Sequence, residues 1–402
     1  MSFEAIQVDW SKSGAYWLDL LASVPRDELR ACVPLPAHGA TLTDDAAMFL
    51  ACSVALNGAG SVAPNPLVGA VLLAADGGFI SAGAHLKIGA SHAEVNAIES
   101  APGQSNLEGA SLFVTLEPCA HEGKTPSCAK MIAGTQIKRV VYGLVDPNHK
   151  VAGQGLEILR AAGKKVETLP AWQNYCEWLA RVFLHNQRHS EIFTAMKVAS
   201  TPSGVIAGDG TSRLWVTGER ARQMGHFLRL EYDAIMVGIQ TVLLDDPSLD
   251  LRHPVISGRS PLRIVLDPRA ELFHETRELK LLTTNPEGTL VILPAGTDDR
   301  PFSKKYGVKT LCLQVDSNGQ FKWPEIKQSL WTLGLSSLLI EGGAGLYKSA
   351  IRESAVDAIH WFVGPEKGLT GVTWAVLPEL RDRYKKGGGA PLLDDRLLEV
   401  LL

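Results

Sequence analysis

A histidine and two cysteines in the first third of the chain most constrain how this sequence can fold. His92 opens the run His92-Ala93-Glu94, Cys119 follows Pro118, and Cys128 lies further along the chain. One imidazole and two thiolates supply three ligands for a tetrahedral zinc ion and leave the fourth position open for water. A fold that uses them must bring the start of one predicted helix next to a loop that follows a predicted strand.

Glu94 is predicted to act beside this metal rather than to bind it. It lies two positions from His92, so on a helix the two side chains point in different directions. A glutamate that moves protons beside one histidine and two cysteines is the arrangement of zinc nucleobase deaminases. Each residue alone would be ordinary, since a lone buried cysteine is usually a small hydrophobe. We predict a zinc site because the His-x-Glu opens a helix and the Pro-Cys follows a strand.

Helical and strand patterns alternate along the chain and predict two α/β domains. The first covers residues 44–188, after an extension over residues 1–43 to which we assign no function, and the second covers residues 189–402. Helices are predicted at residues 16–22, 43–56 with Thr43 as cap, 91–98 with Ser91 as cap, 126–133, 155–162 and 172–184. Strands are predicted at residues 69–74, 78–83, 111–116, 139–143, 165–169, 193–198, 234–237, 262–266, 290–293 and 338–340. The pattern weakens after residue 366, and residues 385–389 read as a loop.

Composition argues against several classes of protein. The 39 basic and 43 acidic residues give a net charge of −4, without the basic surplus typical of nucleic-acid binding. The longest apolar run, residues 67–75, is too short to span a membrane, and no export signal is visible at the N-terminus. Six sparse cysteines indicate a reducing cytoplasm. The oligomeric state stays open, with a homo-oligomer through the second domain as one option.

The segment between the two cysteines identifies a family. Eight residues separate Cys119 from Cys128, where the common deaminase pattern has two. The run TLEPCAHEGKTPSC (residues 115–128), with PNPLVG (64–69), His92-Ala93-Glu94, and DPN (146–148) before GQG (153–155), resembles the deaminase domain of the bifunctional riboflavin-biosynthesis deaminase/reductase. The resemblance implies a cytidine-deaminase-like three-layer domain. It also implies substrate contacts at Asn65, His85, His121, Lys124, Asp146 and Asn148.

The second domain carries a weaker chemical pattern. The predicted strand at 338–340 leads into Glu341-Gly342-Gly343-Ala344-Gly345 and then a helix, a turn where backbone N–H groups can approach a pyrophosphate. On its own this pattern is more often a tight turn than a cofactor site. The runs AMKVA (195–199), WVTG (215–218), GIQTVLLDDP (238–247), residues 249–252 and IEGG (340–343) resemble the reductase domain of the same family.

That second resemblance implies a dihydrofolate-reductase-like domain that binds NADPH. The implied substrate contacts are Lys197, Arg229, Leu249, Arg252 and Glu341. The implied cofactor contacts are Ala199, Trp215, Thr241, Asp245, Gly343 and Gly345. The reactions implied are hydrolytic deamination of 2,5-diamino-6-(5-phosphoribosylamino)pyrimidin-4-one and then reduction of its ribosyl group to a ribityl chain. The partner expected is this small phosphoribosylated pyrimidine, with neither nucleic acid nor membrane.

Departures from the family pattern keep alternatives open. Ser203 stands before Gly204 where the family usually has aspartate, Arg213 replaces a small hydroxyl residue, and Pro268 replaces a common serine. The chain also ends without a clear match to the family's closing strands. A monofunctional deaminase with a catalytically silent reductase-like domain is therefore an alternative, as are a nucleic-acid deaminase and a protein whose zinc is purely structural.

Overall fold

The structure, a computed structural model, describes residues 6, 8–10, 12, 14–102, 107–121, 126–146, 152–207, 216–365, 372–373, 388–392 and 395–401. The chain divides into two compact units, Met1–Ser190 and Glu191–Leu402. Among the residues described, no helix is long and apolar enough to cross a membrane.

The first unit is a sheet of strands covered by helices. Its strand order is β2-β1-β3-β4-β5, with β1 antiparallel to β2 and β3, and with β3, β4 and β5 parallel. The helices are α1 Ala15–Ser23, α2 Arg26–Cys32, α3 Asp44–Ala55, α4 Ala93–Glu99, α5 Cys128–Ala133, α6 Gln154–Ala161 and α7 Gln173–His189. The strands are β1 Gly69–Leu73, β2 Phe79–Ala84, β3 Ser111–Val114, β4 Arg139–Tyr142 and β5 Lys165–Thr168.

Helix α3 forms as its sequence predicts. The Thr43 hydroxyl accepts a hydrogen bond from the Ala46 N–H at 3.2 Å, which satisfies one amide of the first turn. Every residue of α3 from Ala46 to Ser53 is buried. A Cβ on Gly69 would lie 1.9 Å from the Ala51 carbonyl oxygen, so only glycine lets β1 pack this closely on α3.

The segment before residue 44 belongs to the core of this unit. Trp17 of α1 is fully buried, and its ring packs 4.8 Å from that of Phe49 on α3. Asp45 accepts hydrogen bonds from the Gly14 N–H and from the Trp172 indole, each at 2.8 Å. Helix α1 and the residue before it therefore stabilise α3, the helix that packs on β1.

The second unit is built on a long mixed sheet. Its strand order is β11-β10-β9-β8-β12-β6-β13-β16-β15, parallel from β11 to β13 and antiparallel at β16 and β15; β7 pairs separately with β14. The strands are β6 Phe193–Ser200, β7 Val205–Ala207, β8 Ala234–Gly238, β9 Leu262–Leu266, β10 Thr289–Pro294, β11 Lys309–Leu313, β12 Ser337–Ile340, β13 Ala358–Val363, β14 Val372–Thr373, β15 Gly388–Leu392 and β16 Asp395–Leu401. The helices are α8 Glu219–Glu231, α9 Ile239–Asp245, α10 Lys280–Thr283, α11 Arg300–Tyr306, α12 Trp323–Thr332 and α13 Ala344–Arg352.

Three sequence predictions about the elements are wrong. The cap of α4 is His92, not Ser91, because the Ser91 carbonyl accepts hydrogen bonds from His85 and Asn96. Helix α7 does not end at residue 184, as predicted, but continues to His189. Residues 388 and 389, predicted as loop, lie in β15, and β16 closes the sheet against β13. The closing strands that the sequence did not reveal are thus present.

Candidate active sites

The predicted metal ligands converge in the first unit. His92 precedes the first residue of α4, Cys128 is the first residue of α5, and Cys119 lies in the loop between β3 and α5. Two hydrogen bonds hold that loop against α5, from the Ser127 hydroxyl and from the Ala129 N–H to the Cys119 carbonyl, at 2.8 and 3.1 Å. The two helix starts and the loop place the three ligand side chains at one point.

The distances among these side chains fit zinc. The His92 Nδ1 atom lies 3.6 Å from the Cys119 sulfur and 3.3 Å from the Cys128 sulfur. A tetrahedral zinc ion, with Zn–S of about 2.3 Å and Zn–N of about 2.1 Å, holds such atoms about 3.6 Å apart. The ligand atoms of this imidazole and these two thiols all lie within 4.8 Å of one another. This donor set is that of a catalytic zinc with one open position.

The protonation of the cysteines also prepares the cluster for a cation. The Cys128 thiol donates to the Cys119 sulfur and, against the effect of burial, helps lower the pKa of Cys119 to about 4, with further hydrogen bonds from His92 and from the Cys128 N–H. The same contact raises the pKa of Cys128, because its proton is shared with Cys119. A thiolate is the form of cysteine that binds metal.

Glu94 lies against the cluster without joining it. It is in the first turn of α4 and only 3% exposed. Burial raises the pKa of Glu94 to about 7, and the charge on Cys119 adds to the effect. A carboxyl group with a pKa near neutrality can both accept and return a proton at physiological pH.

Asn65 and His85 lie beside the cluster. The ring of His85 stands at 77° to that of His92, with 5.3 Å between centroids. Its Nδ1 donates to the Ser91 carbonyl at 3.1 Å, since a carbonyl oxygen only accepts, and its Nε2 therefore accepts from the Asn65 amide, also at 3.1 Å. Burial lowers the pKa of His85, which favours this neutral form. His85 thus fixes the orientation of Asn65.

The remaining predicted substrate contacts of the first unit are placed only in part. Asp146 lies at the end of the loop that follows β4, and His121 is exposed in the insert between the cysteines. Lys124 and Asn148 lie outside the described residues.

Glu117 is a residue of this site that the sequence reasoning missed. Its carboxylate accepts hydrogen bonds from the backbone N–H groups of Asp146, Gly153 and Gly155 at 3.1, 3.0 and 3.0 Å. A Cβ on Gly155 would lie 1.9 Å from the Pro118 carbonyl oxygen. The start of α6 therefore packs directly on the loop between β3 and α5 that carries Cys119, here called the metal loop. The signal available in the sequence was an acidic residue directly before Pro118-Cys119.

A second cluster lies in the other unit, at the carboxyl ends of its central strands. Arg229 of α8 binds Glu341 with two parallel hydrogen bonds of 2.9 and 3.0 Å. The Lys197 ammonium on β6 lies 3.9 Å from the same carboxylate. Burial alone would raise the pKa of Glu341, but the charges of Arg229 and Lys197 lower it to about 2. Glu341 is therefore a carboxylate throughout the physiological pH range.

Leu249 and Arg252 lie on a segment next to this cluster. Leu249 is buried with a φ of 51°, a conformation that is uncommon outside glycine and that often marks a functional segment. The Arg252 side chain is exposed and pairs with Asp250 at 2.9 Å. His226, which the sequence reasoning missed, accepts the Arg252 N–H at 3.1 Å on its Nδ1 atom.

The glycine turn after β12 is where the sequence predicts the cofactor. Gly342 and Gly343 have φ values of 117° and 90°. Side chains at these positions would meet Thr241 of α9, with a Cβ on Gly343 lying 3.3 Å from its hydroxyl oxygen. A turn without side chains, at the carboxyl end of a parallel strand and before the nine-residue helix α13, fits the phosphates of a dinucleotide.

Of the other predicted cofactor contacts that the structure describes, Thr241 lies against this turn. Ala199 lies near the end of the neighbouring strand β6, and Asp245 is exposed at the end of α9. Gly345 is in the first turn of α13, and Trp215 lies outside the described residues.

Two of the departures from the family pattern are accommodated. The Ser203 hydroxyl contacts that of Thr201 at 2.7 Å, within a turn closed by Gly204. The turn that contains Pro268 is held by Asp267, which accepts the N–H groups of Glu271 and Leu272 at 2.9 Å each. Arg213 lies outside the described residues.

Comparisons with family models match both units. Residues 42–144 match the model of the cytidine and deoxycytidylate deaminase zinc-binding region. Residues 193–367 match that of the RibD C-terminal domain. The predicted architecture, a cytidine-deaminase-like unit followed by a dihydrofolate-reductase-like unit, is thereby confirmed.

Curated proteins and solved structures match most of the chain. Riboflavin biosynthesis protein RibD of Actinobacillus pleuropneumoniae is 37% identical over 83% of this chain and 87% of its own length. RibD of Bacillus amyloliquefaciens is 36% identical over 79% and 83%.

Two crystal structures match over both units. The Thermotoga maritima diaminohydroxyphosphoribosylaminopyrimidine deaminase/5-amino-6-(5-phosphoribosylamino)uracil reductase is 31% identical, with a TM-score of 0.71 over 88% of this chain and 97% of its own. Acinetobacter baumannii RibD is 30% identical, with a TM-score of 0.68 over the same shares of the two chains. These matches span both the zinc cluster and the Arg229–Glu341 cluster, and the chain belongs to the RibD family of riboflavin biosynthesis proteins.

Proposed function

We propose that the chain catalyses two consecutive steps of riboflavin biosynthesis. The first is hydrolytic deamination of 2,5-diamino-6-(5-phosphoribosylamino)pyrimidin-4-one, and the second is NADPH-dependent reduction of the ribosyl group of the product to a ribityl chain. The observation that carries the proposal is the cluster of His92, Cys119 and Cys128 beside the buried Glu94. The long matches to deaminase/reductases support the pairing of the two steps.

In the first step, Glu94 moves the protons. When bound, zinc supplies a water of lowered pKa as the nucleophile. Glu94 takes a proton from this water as it attacks the ring carbon that bears the amino group. It delivers this proton to the leaving nitrogen, and the remaining hydroxyl proton passes to the neighbouring ring nitrogen, so that ammonia departs and a carbonyl remains. A pKa of about 7 suits both transfers.

The residues around the zinc cluster hold the substrate in this proposal. His85 holds the Asn65 amide next to the metal, where it can bind a polar edge of the pyrimidine ring. His121 and Lys124 offer donors to the substrate. Asp146 and Asn148 are the contacts proposed for the end of the substrate that carries the ribosyl phosphate.

In the second step, the protein binds and orients both reactants. When bound, NADPH supplies the hydride that reduces the sugar carbon. Lys197, Arg229 and Arg252 supply positive charge for the substrate phosphate and for the sugar oxygen that becomes negative during hydride transfer. Leu249 packs against the substrate. Glu341, held by Arg229, stays ionised and accepts hydroxyl hydrogens of the sugar. The cofactor contacts proposed are Ala199, Trp215, Thr241, Asp245, Gly343 and Gly345.

A monofunctional deaminase with a silent second unit finds no support. The second unit matches the RibD C-terminal domain over 193–367, and its cluster of Lys197, Arg229 and Glu341 is complete. The closing strands, whose apparent loss suggested this alternative, are present as β15 and β16.

The proposal includes the partners and the compartment. The substrate is a small phosphoribosylated pyrimidine, and the net charge of −4 supports the exclusion of nucleic acid. The zinc ligands must stay reduced, which favours the cytoplasm. Homo-oligomerisation through the second unit stays a prediction, which sedimentation of the full chain would test.

Glu94→Gln in the full chain tests the first step. We expect zinc to remain bound, as measured by metal analysis, while ammonia release falls by about 100-fold or more. NADPH oxidation on supplied 5-amino-6-(5-phosphoribosylamino)uracil should be unchanged, which makes the second unit an internal control. Glu99→Gln removes the same charge from the exposed end of α4 and should retain full activity. Normal ammonia release from Glu94→Gln would refute the assignment, and a wild-type chain that oxidises no NADPH would refute the second step.

A further inference from the structure

Two side chains of α8 hold one short backbone segment of the second unit. Arg229 donates to the Asp250 carbonyl at 2.9 Å, and His226 accepts the Arg252 N–H at 3.1 Å. Positions three apart share one face of a helix, so both side chains reach the same segment. The segment contains Leu249, which is held at a φ of 51°. One helix therefore binds both a carbonyl and an amide of the segment that follows this strained residue.

The bond to His226 requires a particular form of the ring. A backbone N–H donates only to an atom with a free lone pair, so Nδ1 of His226 carries no proton. The groups that face the ring are the charged side chains of Arg229 on its own helix, Arg252 on the held segment and Glu341 after β12, together with the backbone of Asp250. Burial and the charge of Arg229 lower the pKa of His226 to about 4. The ring is thus neutral at physiological pH and keeps this acceptor.

The held segment connects to the proposed chemistry through Arg229. The same guanidinium binds the Asp250 carbonyl and, in two parallel bonds, the Glu341 carboxylate. Glu341 directly precedes Gly342 and Gly343 of the proposed cofactor turn. A shift of the segment away from α8 would therefore move the reductase substrate contacts relative to the cofactor.

We propose that His226 is a positioning residue of the reductase, whose Nδ1 holds the Arg252 backbone so that Leu249 and Arg252 stay beside the Lys197–Arg229–Glu341 cluster. The proposal rests on the reductase function proposed above. It assigns His226 no contact with substrate or cofactor. It attributes the effect to one acceptor atom at one position, not to the size of the ring.

Three substitutions separate this role from ordinary packing. His226→Asn places an amide oxygen at the position of Nδ1, because both atoms follow the Cγ atom directly. His226→Gln places its amide one bond further out, and His226→Leu offers no acceptor. Glutamine is a better helix former than asparagine, so a role limited to helix stability would rank the variants in the opposite order.

The assay is NADPH oxidation by the full chain on supplied 5-amino-6-(5-phosphoribosylamino)uracil. We expect His226→Gln and His226→Leu to raise the KM for this substrate about tenfold, which corresponds to the loss of one hydrogen bond of about 1.4 kcal/mol. His226→Asn should stay within about threefold of wild type. The KM for NADPH and the rate of ammonia release should be unchanged in all three. His274→Gln, an exposed histidine of the same unit, is the matched control.

A second measurement needs no substrate. Hydrogen exchange at the Arg252 amide should be about tenfold faster in His226→Leu and His226→Gln, and close to wild type in His226→Asn. Unchanged exchange in His226→Leu, or a KM in His226→Asn as high as in His226→Leu, would overturn the proposal. If the wild-type chain fails to oxidise NADPH, the proposed reductase function is refuted, and the exchange rates alone decide whether His226 holds the segment.

Discussion

Replacing Glu117 by glutamine should release the loop after β4 from the metal loop of the first unit. One carboxylate oxygen accepts the N–H groups of Asp146 and Gly153, and the other accepts that of Gly155. Glutamine has the same size but only one acceptor oxygen. If that oxygen keeps the bonds to the Asp146 and Gly153 N–H groups, the side-chain NH2 group faces the Gly155 N–H, so two donors oppose each other.

The magnitude follows from the hydrogen bonds. A bond to a charged acceptor contributes about 1.5–3 kcal/mol, and a neutral one about 1 kcal/mol. The variant loses one charged bond and weakens two, and part of this loss is recovered when the loop moves to water. We therefore expect the free energy of local opening to fall by about 2–3 kcal/mol, which corresponds to exchange about 30- to 150-fold faster.

The assay is native-state hydrogen exchange at the three amides of residues 146, 153 and 155. Glu108→Gln, which removes the same charge from an exposed position before β3, should leave them unchanged. Zinc content should be retained, and the KM for ammonia release should rise because Asp146 is a proposed substrate contact. Unchanged exchange at the three amides in Glu117→Gln would refute the reasoning, whatever the effect on activity.

Two further predictions concern the second unit. Gly342→Ala forces a φ of 117° on a residue with a Cβ beside Thr241, at a strain of about 1–3 kcal/mol. This strain should raise the KM for NADPH about tenfold without affecting ammonia release. An unchanged KM would contradict the assignment of this turn to the cofactor. The pKa of Glu341 is lowered to about 2 from its ordinary 4.5, so its pairing with Arg229 stabilises the unit above pH 4.5 and is lost as the pH falls toward 2. The free energy of unfolding of wild type should decrease by about 3 kcal/mol more than that of Glu341→Gln across this interval, as urea titrations at several pH values would show, and equal losses would contradict it.

The metal cluster was predictable because its signals are local. His92 and Glu94 open a helix, and Cys119 follows a strand, so each ligand lies at the end of an element that the sequence pattern reveals. The cap of α4 was assigned one residue too early. Ser91 is a good capping residue by type, but its carbonyl is engaged by His85 and Asn96. Such tertiary bonds leave no trace in local sequence.

The closing strands were missed for a different reason. Residues 388–392 read GGAPL, and both glycine and proline disfavour strands in general. Within the part of the chain that the structure describes, strand β15 pairs only with β16 and so lies at the edge of the sheet. Proline is tolerated there because its missing N–H breaks no inner ladder. Backbone hydrogen bonding to β16, rather than intrinsic strand propensity, makes this segment a strand.

Glu117 and His226 were missed because their partners are backbone groups. Glu117 binds amides 29 to 38 positions away, and His226 binds one 26 positions away. Every residue except proline carries the same N–H, so no side-chain pattern marks these partners. Residues that orient a site by holding backbone are therefore the ones that a sequence reveals least.

The two proposed active sites each contain a buried glutamate, and their surroundings give the two carboxyl groups opposite properties. Glu94 is buried without a side-chain cation bonded to it among the described residues, and burial raises its pKa to about 7. The Glu341 side chain is also largely buried, but Arg229 and Lys197 lower its pKa to about 2. Deamination needs a group that exchanges a proton at neutral pH, whereas hydride transfer needs a fixed charge that orients the sugar. An arginine bonded to a buried carboxylate therefore distinguishes an anchor from a proton carrier, and in the proposed mechanism each unit has the kind of glutamate that its reaction requires.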